Sequence, residues 1–163
     1  MAILVSDTSI LIDLERGALL DALFQLPHDF VVPDVLFDRE LKGPLGDHLV
    51  ALGLRVEELS STEVKRATVV RRQRPALSTP DTFAFALAKE RTWTLLTGDG
   101  ELRALATQEQ VITHGVLWIF DEFHAGGVVE NARLHSGLAA ISVHPRCRLP
   151  RAEIAARLAQ YAS

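Results

Sequence analysis

Cysteine is almost absent. Cys147 is the only one in 163 residues, so no disulfide can close within the chain and a thiolate metal cage is excluded. That scarcity suits a reducing compartment, and a cytoplasmic setting is expected. Long apolar runs are also missing: none approaches the roughly 18 residues of a membrane span. No basic segment precedes the first apolar run, which Asp7 interrupts, so no secretory leader is expected. The six histidines, at 28, 48, 114, 124, 135 and 144, never come closer than nine positions. This leaves no zinc spacing and no compact histidine pair for acid–base cleavage. There is no phosphate-binding G-x-x-x-x-G-K-[ST] and no G-x-S-x-G nucleophile turn, and "GDGELR" has Arg103 where a dinucleotide fingerprint needs its third glycine. Aromatics make up 6% of the chain. Phe83, Phe85, Trp93, Trp118, Phe120 and Phe123 recur at helical or strand spacing, so they read as core rather than as a platform for bases.

A surplus of positive charge is lacking too. The formal net charge is −4, which excludes a protein coated with cations for nucleic acid. It does not exclude a nuclease with acids in one pocket and basic groups around it. Charge is indeed uneven. "VKRATVVRRQRP" (64–75) holds Lys65, Arg66, Arg71, Arg72 and Arg74 without an acid, and the stretch from Val128 carries Arg133, Arg146, Arg148, Arg151 and Arg157 against Glu130 and Glu153. Each can equally be a solvated helix face.

What is present is an alternation of strands and helices. "AILVSD" reads as a buried strand, followed by helical spacing in "SILIDLERGALLDALFQL" with a break at Gly17. "DFVVP" is a second strand, and Pro33 is expected to start a helix reaching Leu41, which "KGPLGD" breaks. "LRVEELS" is a third, more exposed strand, and "STEVKRATVVRRQR" a helix ended by Pro75. A helix opens at Pro80, "TWTLLTGD" is a fourth strand, "GELRALATQE" a helix and "QVITHG" a short fifth strand. "VLWIFDEFHAGG" is a helix stopped by glycines, and the remainder is helical around a Pro/Arg loop at 144–151. This alternation predicts a parallel sheet covered on both faces, with any ligand beyond the carboxyl ends of its strands.

Asp7 and Asp99 end predicted strands, while Glu40 and Asp81 lie in helices. Singly, each has a plainer explanation: Asp7 as a helix cap, Glu40 as a surface glutamate, Asp81 as part of a capping box with Ser78, and Asp99 as a turn residue. Together they are expected to converge on one crevice. Bare carboxylates at close range repel, and a divalent cation removes that repulsion. Oxygen-only ligands suit Mg²⁺ or Mn²⁺. Such an ion activates water and stabilises charge on a phosphodiester.

At these residues the chain resembles the PIN-domain ribonucleases, in particular the VapC-like group. The resemblance rests on "ILVSDTS", "VVPDVLFDREL" and "STPDTFAFALAKERTWTLLTGDGELRALA", which set Asp7, Glu40, Asp81 and Asp99 in the order of the family's acids. It implies a three-layer α/β/α sandwich around a parallel sheet of about five strands. It also implies RNA cleavage dependent on Mg²⁺ or Mn²⁺, with those four acids as catalytic and metal-holding residues. For toxin members it implies an antitoxin partner and frequent homodimers. Thr8, Ser9 and Thr97 match hydroxyls beside the acids and are expected to orient carboxylates or hold a water. Lys65, Arg66, Arg71, Arg72 and Arg74 are expected to bind RNA. The resemblance ends near Phe123, so residues 1–127 are assigned to the nuclease domain and 128–163 to a helical extension packed on it. Two other readings stay open: a PIN-like binding module without activity, and a HAD-like phosphohydrolase. The second would want an aspartate where Ser9 stands.

Overall fold

The computed structural model describes residues 2–162. The elements in chain order are β1 (Ile3–Ser6), α1 (Thr8–Arg16), α2 (Leu20–Leu23), β2 (Asp29–Pro33), α3 (Asp34–Leu36), a π-helical turn Phe37–Leu41, α4 (Pro44–Leu52), β3 (Arg55–Glu57) and α5 (Ser61–Gln73). There follow α6 (Thr79–Arg91), β4 (Thr94–Leu96), α7 (Gly100–Gln108), β5 (Thr113–His114), α8 (Val116–Ala125), α9 (Asn131–Ser142) and α10 (Arg151–Tyr161). The five strands pair in parallel in the order β3-β2-β1-β4-β5. The expected three-layer α/β/α sandwich is the fold found.

Successive strand residues face opposite layers, as the pleat requires. Leu4, Phe30, Val32 and Leu96 join the side chains of α1, α2, α8 and α9 in one core, and Val5, Val31 and Leu95 join those of α5, α6 and α7 in the other. Both faces being covered explains why the strands are apolar without alternation. The first core continues to Ile154 and Tyr161 of α10. α9 reaches α1 through two glycines: a Cβ on Gly137 would lie 2.9 Å from the Gly17 carbonyl oxygen, and one on Gly17 would lie 3.1 Å from the Gly137 carbonyl oxygen. Any side chain there pushes the two helices apart.

The helix expected from Pro33 to Leu41 starts one residue later, at Asp34. Pro33 itself is the last residue of β2, extended and in register with Glu57 of β3. A proline needs no ladder donor at a strand's end. "KGPLGD" does break the helix after Leu41, as expected. Gly43 breaks the chain at φ +125°, and Pro44 then opens α4. Gly46, within α4, serves packing. A Cβ there would lie 2.4 Å from the Leu41 carbonyl oxygen, so its absence lets α4 rest on the π-helical turn.

The helix that carries Asp81 is tied down by a buried acid. Glu63 is 4% exposed. It forms a reciprocal capping box with Ser60 and accepts a bond from Arg91 Nε, at the far end of α6, at 2.8 Å. Glu63→Ala loses the box and two bonds to Arg91, which keeps Glu57 and the Glu58 carbonyl, so stability in urea unfolding is expected to fall by about 1–2 kcal/mol. A loss under about 0.5 kcal/mol would show that Glu57 and the Glu58 carbonyl suffice to hold Arg91.

Candidate active site

The chain lays β2 and β3 on one side of β1, then returns to lay β4 and β5 on the other. The order reverses between β1 and β4, where parallel α/β sheets open a crevice at their carboxyl ends. Asp7 directly follows β1, and Asp99 follows β4 by three residues. Both also cap the helices they precede: Asp7 Oδ1 accepts from Ile10 N–H at 3.1 Å, and Asp99 Oδ1 accepts from Leu102 N–H at 2.9 Å. The plain capping roles are therefore real. They fix one carboxylate oxygen of each acid.

Thr97 joins the two strand ends. Its hydroxyl accepts from Asp99 N–H at 3.0 Å and donates to Asp7 Oδ2. Ser9 Oγ donates to Asp7 Oδ1 at 2.7 Å. Asp7 is thus held by two hydroxyls and an amide in a position only 3% exposed. Burial is the main reason its pKa rises to about 6; the bonds from Thr97, Ser9 and Ile10 oppose that rise, and the charge of Asp81 adds to it.

Asp81 sits in the first turn of α6, where Ser78 Oγ accepts its N–H at 3.2 Å. Burial raises its pKa, Ser78 opposes this, and the charge of Asp99 raises it further. Glu40 comes from the π-helical turn, whose i→i+5 bond runs from Lys42 N–H to the Phe37 carbonyl at 2.8 Å. The additional residue in such a turn swings the following side chains by about 100° relative to an α-helix. α3, which leads into that turn, packs against α6. Glu40 is exposed as a residue, yet its carboxyl end is partly covered, and this raises its pKa. The Thr8 hydroxyl lies close enough to ease the charge, while Asp81 adds to it. Thr8 Oγ1 itself is buried and makes no hydrogen bond of normal geometry.

Asp81 is the shared neighbour: its charge acts on Asp7 and on Glu40, and the charge of Asp99 acts on it. Among the described residues none of the four forms an ion pair with Lys, Arg or His. Nor do any three His, Cys, Asp or Glu side chains among them close into a ready metal cage. The donor set is nonetheless all oxygen. Mg²⁺ needs only one or two carboxylates and completes its shell with water, so the residues fit a hard divalent cation held in an open site.

A family model for PIN domains matches residues 3–162. The chain belongs to that family. The fold is thus of the nuclease type, and the matched stretch of this PIN domain runs through α9 and α10. A solved PilT N-terminus domain protein from the hyperthermophilic archaeon Sulfolobus solfataricus is 15% identical, with the likeness covering 70% of this chain and 87% of that one at a TM-score of 0.47. No curated protein matches the chain. Among the described residues no helix of this PIN domain is long and apolar enough to cross a membrane.

The basic stretch is divided by the fold. Arg66 pairs with Glu90, and Arg74 binds Glu101 at 3.1 Å and Gln108 at 2.5 Å. Lys65, Arg71 and Arg72 are exposed and make no ion pair among the described residues. Arg71 and Arg72 share a groove of about 400 Å³ with Thr79, two residues before Asp81. A second groove, of about 570 Å³, is lined by Ser9 and Asp99 together with Arg16, Arg103, Arg146 and Arg148. In the sequence Arg146 and Arg148 stand out only as part of the basic stretch after Val128, Arg103 only as a break in a glycine pattern, and Arg16 not at all. They come from α1, α7 and the loop after α9, and no local spacing relates them.

Proposed function

We propose that this PIN domain is a metal-dependent endoribonuclease, with Asp7, Glu40, Asp81 and Asp99 as its catalytic acids. The observation that supports the reading is Asp7 and Asp99 joined through Thr97 at the strand-order reversal, with Asp81 close enough to act on Asp7 and Glu40 and to feel Asp99, and no ion pair to any of the four among the described residues. Such a set favours a cation and disfavours a bare phosphate. Mg²⁺ or Mn²⁺, when held by these acids directly or through water, supplies positive charge at the phosphate and lowers the pKa of a water. The chain's own residues do the rest. Thr97 and Ser9 fix both oxygens of Asp7, and the Thr97 hydroxyl also holds the backbone of Asp99, so the two strand-end acids keep a set separation. Glu40 and Asp99, at the exposed rim, can orient a water toward phosphorus. Hydrolysis adds that water to phosphorus and breaks one P–O ester bond. Lys65, Arg71 and Arg72 flank the α6 side and suit phosphates beside the cut. The resemblance to VapC-like ribonucleases extends the reading to the toxin of a toxin–antitoxin pair, with an antitoxin protein and a second copy of the chain as partners.

The test is cleavage of structured RNA with and without Mn²⁺, comparing the wild type with Asp99→Asn. Asparagine keeps the cap on Leu102 N–H and Asp99 is exposed, so stability is expected to be unchanged. Activity is expected to fall by about a hundredfold or more at limiting Mn²⁺. Full activity at limiting metal would reduce Asp99 to a turn residue.

A further inference from the structure

We propose that the loop between α9 and α10 is a wall of the RNA track, and that Arg146 and Arg148 on it grip phosphates of the strand beyond the cleavage point; this rests on the ribonuclease reading above. The groove of about 570 Å³ is lined by Ser9 and Asp99 and also by both of these arginines, so a strand held at the acids lies within one cavity of them. Both arginines are exposed, and their side chains make no ion pair or hydrogen bond among the described residues. The neighbouring arginines are already engaged. Arg103 donates to the Thr97 carbonyl at 3.3 Å, and Arg16 pairs with Asp13 at 3.4 Å. Only Arg16 is paired with an acid; Arg103 keeps its charge, so the groove's unpaired positive charge lies on Arg103 and on the loop.

The loop is also held in place. At its α9 end, Gly17 and Gly137 seat that helix on α1, whose first turn lies beside Asp7. At its α10 end, Arg157 clamps both oxygens of Asp121 on α8 at 2.8 Å. The cations are thus presented on a fixed support beside the site. The physical need is plain: four acids repel a polyanion, and a chain of net charge −4 has no general attraction to offer it. Affinity must come from local cations on either side of the cut. Arg71 and Arg72 supply one side, and the tail loop supplies the other.

The experiment measures binding of a short labelled single-stranded RNA to Asp7→Asn protein as a function of salt, with and without Arg146→Gln/Arg148→Gln. Cleavage by the otherwise wild-type protein is followed alongside. Loss of two phosphate contacts on a single strand should lower the salt slope by about 1.4 and weaken binding by roughly tenfold at low salt. The Arg146→Lys/Arg148→Lys pair should restore most of the slope. In cleavage, KM should rise more than kcat falls. Unchanged thermal melting of the glutamine pair separates this from unfolding. If the wild type cleaves RNA while the glutamine pair keeps its affinity and slope, the loop proposal is overturned and the ribonuclease reading stands; an acidic protein segment is then the better occupant. If the pair loses RNA affinity but the wild type cleaves nothing, the groove stands and the catalytic reading falls. If Asp7→Asn protein binds no RNA at all, the groove proposal is overturned, and wild-type cleavage alone decides the rest.

Discussion

Asp7→Asn is expected to abolish cleavage and make the protein more stable. The ionised carboxylate is buried, and its pKa stands at about 6 against an ordinary 3.8. The folded form therefore keeps a proton that the unfolded chain has released across that window. Stability contributed by this group is greatest below about pH 4, declines as pH rises toward 6, and stays low at neutral pH. At about 1.4 kcal/mol per tenfold in proton affinity, the roughly hundredfold displacement corresponds to about 3 kcal/mol. Asparagine carries no charge at any pH and can still accept from Ile10 N–H. The variant should exceed the wild type by up to about 3 kcal/mol at pH 7.5, with the gap closing near pH 4. Urea titrations at the two pH values read this directly. Cleavage should drop on the order of a hundredfold to a thousandfold, since charge at the best-anchored acid is lost. A variant both less stable and fully active would mean that Asp7 is only the cap of α1.

The second large effect concerns the divalent cation. Without one, four neighbouring carboxylates carry unbalanced charge, and cleavage is expected to stop in excess chelator and return with Mg²⁺ or Mn²⁺. Thermal stability should follow the same titration. A ligand that binds only the folded form adds about 2.7 kcal/mol at a hundred times its Kd, and relief of repulsion among Asp7, Glu40, Asp81 and Asp99 is the source of that affinity here. The gain should shrink sharply in Asp81→Asn, because Asp81 is the residue that meets the other three. An inert binding module would show no Mn²⁺ stabilisation, and cleavage that persists in chelator would point to chemistry without a metal.

Much of the fold was legible along the chain. Apolar four- and five-residue segments, each followed by a helical period, specify a parallel sheet covered on both sides, because only burial on both faces removes the alternation from a strand. Asp7 and Asp99 could be placed at strand ends for the same reason. Local rules misread the connection after β2. Pro33 reads as the helix start but is the strand residue just before it, and only the contact of α4 with the Leu41 carbonyl shows why Gly46 lacks a side chain. The π-helical turn that carries Glu40 also has no local signature: its i→i+5 bond from Lys42 N–H to the Phe37 carbonyl is seen only in the structure.

Composition and periodicity alone determined that this chain builds an α/β sandwich, and the order of its acidic motifs pointed to a PIN domain. The tertiary structure decided which charges face one another. Arg66 and Arg74 are adjacent in sequence to free cations yet are neutralised by Glu90 and Glu101, from α6 and α7. Arg146 and Arg148 are remote from every motif, yet the packing of α9 on α1 brings them to the groove that Ser9 and Asp99 also line. Charge acts through space, and sequence separation carries no information about it once helices cross a sheet.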